Sequence, residues 1–178
     1  MINIEKSTKA RDTSSTNKTR PVADESGSAV GIARYDQIKG GIDQYKKAMK
    51  EGFYIEAIAL MESAISDRLE STLNYLNPNS DYSYETIGRL ANALLKANYY
   101  SEDTLNEIKI WAKTRNEAIH QMVKLLPDQS KSFQDRYDDL KHCAEEGYSL
   151  FRKVDSEKKR MIRKSSNPVL PHLQCGNE

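Results

Sequence analysis

From Arg34 onward apolar residues recur at intervals of three and four, and no stretch of four to eight residues alternates apolar with polar strongly enough to read as a strand. The pattern predicts an all-α chain. Its strongest stripe is Ile55, Ile58, Ile65, Leu69, Leu73 and Leu76, a helix over 53–77 stopped by Asn77-Pro78-Asn79. A weaker helix over 34–50 precedes it, with Gly40 and Gly41 in its middle and a break at Gly52. A third runs over 83–98, with Ser83 as cap and Ile87, Leu90, Leu94 and Ala97 inward. The fourth, over 102–126, opens on Ser101 and the first-turn carboxylates Glu102 and Asp103, and ends before Pro127. The fifth, over 130–164, points Phe133, Tyr137, Leu140, Ala144, Phe151 and Val154 inward. Helices joined by short loops pack as antiparallel neighbours, so the expected architecture is an up-down helical bundle.

Three segments follow. Residues 1–33 read as a disordered N-terminal tail, because Ser, Thr, Lys and Asp dominate and apolar residues are too few to offset chain entropy. Residues 34–154 hold the bundle, and residues 155–178 read as a basic C-terminal tail. Charge is segregated: 34–151 carry 15 Lys and Arg against 19 Asp and Glu, whereas 152–178 carry seven against three. The basic stretch is Arg152, Lys153, Lys158, Lys159, Arg160, Arg163 and Lys164. It reads either as a solvated helix end or, through Lys158, Lys159, Arg160, Arg163 and Lys164, as a weak, salt-sensitive grip on RNA phosphates. No aromatic residue interleaves it to add base stacking. No apolar run approaches the roughly 18 residues of a membrane span, so no membrane association is expected. The N-terminus lacks the apolar core of a secretory signal. With only Cys143 and Cys175, a disulfide framework is not expected and a reducing cytoplasm is.

Two charges fall on apolar faces. Advancing about 100° per residue, Glu62 lands inside the arc of Ile58, Ile65 and Leu69. Arg115 lands inside that of Leu105, Ile108, Ala112, Ile119 and Met122. Asp67 falls opposite and reads as solvated. A charge turned toward a core is normally paired or functional. Glu62 and Arg115 therefore predict an interhelical ion pair, a polar cleft in which Glu62 positions Arg115, or both. Asn116 and His120, four apart, are neighbours on the helix, while Arg115 and His120 diverge by about 140°.

The run Arg115-Asn116-Glu117-Ala118-Ile119-His120 resembles the signature of HEPN domains, an Arg followed by four to six residues and a His, often with a polar residue after the Arg. The amphipathic second helix carrying Glu62 is similar to that family's pattern too, so the resemblance covers roughly residues 34–154. It implies a HEPN-like bundle and a homodimer in which the Arg–His motifs of both subunits meet. It also implies a metal-independent endoribonuclease, with Arg115, Asn116 and His120 catalytic and Glu62 supporting, in a toxin–antitoxin or antiphage defence role with an antitoxin or defence-system partner. In some members that partner modifies a Tyr two residues beyond the His. Here the position is Met122, and the chain departs from that pattern. Other members are non-catalytic modules that bind RNA or protein.

The residue types suit RNA cleavage without the name. A histidine can take the proton of a ribose 2′-OH or protonate the leaving oxygen. A guanidinium can stabilise charge building on the phosphoryl oxygens. Asn116 can donate to a phosphate or fix the ring of His120. His142 and His172 stand alone and the cysteines lie far apart, so neither a metal site nor a cofactor is expected. A structural bundle with an internal salt bridge is the remaining alternative.

Overall fold

The computed structural model describes residues 29–83, 85–124 and 131–166, with side chains from 33 to 163. Among these residues there are five α-helices and no strand: α1 Ala29–Glu51, α2 Tyr54–Leu76, α3 Ile87–Ala97, α4 Glu102–Gln121 and α5 Phe133–Ser166. The expectations for residues 1–28 and 167–178, and for the helix ends at 125–130, lie outside the described residues.

Local chemistry sets the helix ends. At the end of α1, Gly52 adopts φ +83°, and the Phe53 N–H reaches back to the Ala48 carbonyl at 2.8 Å, closing a Schellman turn. Asn98 ends α3 in the left-handed region, at φ 51°. α4 opens as the sequence predicts: the Ser101 hydroxyl accepts from the Thr104 N–H at 3.3 Å. Ser83 does not cap α3. Thr86 holds that position without a side-chain bond, and the Ser83 N–H instead closes a turn on the Asp81 carboxylate at 2.9 Å. Gly40 and Gly41 leave α1 unbroken.

Helices α2, α3, α4 and α5 form a ring in which each packs on the next and α5 returns to α2. α1 lies outside it, against α2. Tyr45 anchors α1 to α5 as well, stacking on Tyr148 at 4.9 Å and donating to the Ala144 carbonyl at 3.3 Å. The core comes chiefly from Ile58, Met61, Ile65, Leu69 and Leu73 of α2, with Leu90, Leu94, Leu105, Ile108, Leu140 and Val154 from the others. α4 runs against α2, through Glu62 with Arg115 and Thr72 with Tyr100. α5 runs with α2, through Tyr54 with Tyr137 and Ser71 with Lys158. The chain thus departs from strict up-down order. Residues 77–86 are long enough to carry it back along α2, so α3 starts beside Glu62 and ends beside Tyr100.

Several expected core positions are on the surface. Ile55, Leu76, Ala97 and Phe133 are exposed, each in the first or last turn of its helix. Asp67 is only a third exposed and takes the Arg34 guanidinium at 3.0 Å. Nor does a tail begin at 155. α5 runs through that position unbroken, and Asp155 pairs with Arg68 at 3.0 Å.

Candidate functional site

α4 is fixed at both ends and in its middle. At its start Glu157 of α5 accepts from the Thr104 hydroxyl (2.6 Å), the Ser101 hydroxyl (2.8 Å) and the Ser101 N–H (3.1 Å). Burial works to raise the Glu157 pKa, but these hydrogen bonds outweigh it and hold the carboxyl below its ordinary range. In the middle, Trp111 Nε1 donates to the Cys143 carbonyl at 2.9 Å, and the ring lies over Gly147. At the end, Arg136 Nη1 donates to the carbonyls of Gln121 and Lys124.

Arg115 stands one turn beyond Trp111. Its Nη1 donates to Glu62 Oε2 across the α2–α4 interface, so the interhelical ion pair among the sequence readings is present. The side chains are 16% and 30% exposed, which places the pair at a cleft edge rather than in the core. Arg115 Nε is buried without a hydrogen-bond partner among the described residues. The cleft, about 670 Å³, opens between α2, the start of α3 and α4, and Glu62, Ser66, Thr86, Gly88, Arg115 and Asn116 line it. Asn116 is exposed on its rim.

His120 is exposed in the last turn of α4 and does not line this cleft. The chain thus joins Glu62, Arg115 and Asn116 at a cleft and leaves His120 outside it, in line with the divergence of about 140° between Arg115 and His120. The sequence reading missed Ser66, although its place one turn beyond Glu62 on the same face could have pointed to it. It also missed Thr86 and Gly88, which no helical periodicity could reveal because they reach the cleft through the connection between α2 and α3.

The basic grip is only partly present. Lys158 is buried and its ammonium donates to Ser71 Oγ at 2.7 Å, so its expected place on an RNA-facing surface is corrected. It stands one turn beyond Val154 on the inward stripe of α5, and its long stem lets the charge reach a hydroxyl at the α2 interface. Lys159 is exposed and paired with Asp155; Arg160 and Arg163 are exposed; the Lys164 side chain lies outside the described residues. Cys143 is buried, and burial pushes its thiol up to about 11, which keeps it protonated and unreactive. Among the described residues no three His, Cys, Asp or Glu side chains gather as a metal set, and no helix is long and apolar enough to cross a membrane.

No family model matches the chain, and neither the curated proteins nor the solved structures offer a match.

Proposed function

We propose that this chain is a HEPN-like, metal-independent endoribonuclease that works as a homodimer in a toxin–antitoxin or antiphage defence role. The observation that carries the reading is Arg115. A guanidinium is held by Glu62 on the wall of an open cleft with Asn116 beside it, and an exposed His120 follows on the same helix. In the proposed reaction, imidazole takes the proton of a ribose 2′-OH. The 2′-oxygen attacks the adjacent phosphorus, the P–O5′ bond breaks, and a protonated imidazole supplies the leaving oxygen's proton. The products are a 2′,3′-cyclic phosphate and a 5′-hydroxyl. Arg115 stabilises charge on the phosphoryl oxygens, and Asn116 donates to the same group. Because His120 and Arg115 diverge on one helix, a second copy supplies the complementary residue at each site.

The position of His120 outside the cleft favours a second reading, a non-catalytic module that binds RNA or a protein partner through Arg115 and Asn116. Expressing the wild type and His120→Ala, then sequencing host RNA ends, separates the two. A set of new ends that disappears in His120→Ala supports the enzyme. Identical ends in both, with both proteins folded, support the binding module.

A further inference from the structure

We infer that Arg136 is a positioning residue for His120, holding from α5 the end of the helix on which the imidazole is mounted. The inference rests on the reading of His120 given above. Helix ends leave their last carbonyls without intrahelical donors. α1 and α3 meet this need with left-handed residues, Gly52 and Asn98. Among the described residues α4 ends on neither device. Its terminal turns close on long i to i+3 bonds, Met122 N–H to the Ile119 carbonyl at 3.4 Å and Lys124 N–H to the Gln121 carbonyl at 3.3 Å. Arg136 takes the place of the cap. Its Nη1 lies 2.6 Å from the Lys124 carbonyl and also binds that of Gln121, the residue that follows His120.

The arrangement is costly for a mere helix end. Arg136 is 9% exposed, and a cation so buried must have its donors satisfied. Among the described residues its hydrogen-bond partners are main-chain carbonyls, which gain from a positive charge at a helix C-terminus. The imidazole is exposed, so its place depends chiefly on the backbone beside it. Misplacement of a reacting group by about 1 Å can cost on the order of 10²-fold in rate.

The test uses Arg136→Gln and Arg136→Lys in the full chain. Because a single nitrogen bridges both carbonyls, a lysine ammonium can replace it. In Arg136→Gln, amide hydrogen exchange over residues 118–124 should speed up at least tenfold, with residues 102–108 unchanged. RNA cleavage should fall at least tenfold in kcat with KM within twofold, and Arg136→Lys should recover most of both. Unchanged exchange in Arg136→Gln refutes the clamp. Faster exchange with unchanged kcat refutes the positioning role, as does a loss that appears in KM alone. If Arg136→Gln does not fold, Arg136→Lys decides by the same comparison: folded and active, it supports the clamp, and faster exchange at full kcat overturns the positioning role. A wild type that cleaves no RNA refutes the catalytic reading of His120, while the exchange rates still decide the clamp.

Discussion

Gly147→Ala sets two rules against each other, and the structure decides the sign. Alanine is favoured over glycine inside a helix by roughly 0.5–1 kcal/mol, so propensity alone predicts stabilisation. A methyl at position 147, however, would stand 2.6 Å from Trp111 Cζ2, 3.0 Å from Cε2 and 3.3 Å from Met61 Cβ. The indole cannot yield cheaply, since it is 4% exposed and its Nε1 is bonded to the Cys143 carbonyl at 2.9 Å. Overpacking of this kind costs about 1–3 kcal/mol, and a strained or lost hydrogen bond adds about 1. The net is a destabilisation of ~1–3 kcal/mol, which lowers Tm by roughly 2–4 °C per kcal/mol at this chain length. Trp111 is the single tryptophan, so its fluorescence reports both unfolding and its own displacement. Gly40→Ala and Gly41→Ala are the controls: nothing lies within 4 Å of either added carbon, and both should stabilise α1. A Gly147→Ala protein as stable as the wild type, with unchanged emission, would refute the close packing of α4 on α5 at Trp111.

Three further outcomes are expected. Glu62→Gln and Arg115→Met should couple in a double-mutant cycle of denaturant midpoints by about 1–2 kcal/mol, less than for a fully buried pair because both side chains reach solvent; strict additivity would mean that the charges do not support each other. Glu157→Gln should lower Tm at neutral pH, and the gap should close on acidification. The folded-state pKa of Glu157 is depressed, so its stabilisation is present above the ordinary carboxylate range and is lost as pH falls through the folded value; a gap constant between pH 7 and pH 3 excludes that linkage. On the proposed function, a mixed dimer of an Arg115→Ala chain with a His120→Ala chain should retain partial RNA cleavage, in excess EDTA, while both parent homodimers are inactive. An inactive mixed dimer of confirmed assembly counts against a shared site, and activity that requires an added divalent ion counts against the metal-independent mechanism.

The helices were legible because a 3.6-residue period is written directly into the stripe of Ile58, Ile65, Leu69 and Leu73. The same period gives an angle around the axis and no depth along the bundle. For that reason Ile55, Leu76 and Phe133, on the right face but in end turns, are exposed. Glu62 and Arg115 were legible because a charge on an apolar arc demands a partner, and each supplied the other's. Arg136 and Glu157 were not. Their partners are main-chain atoms and hydroxyls on a helix remote in sequence, and such acceptors and donors leave no trace in a hydrophobic pattern. The direction of α3 was hidden for a related reason: the composition of 77–86 marks a loop but not the path it takes.

The order in which the helices touch bears on how the chain reaches this fold. α1 meets α2, α2 meets α3, α3 meets α4 and α4 meets α5, each contact between neighbours in sequence. Among the described residues, α2 with α5 is the extensive contact between helices far apart in sequence, and the α2–α4 and α1–α5 contacts are few. Neighbour contacts close small loops at low entropic cost, and helical chains rich in them fold quickly. The docking of α5 along α2 closes the long loop, and it seats Lys158 on Ser71 and Asp155 on Arg68 in the same step. Collapse up to α4 can therefore proceed locally, and the ring gains its cooperativity when its last and longest helix arrives.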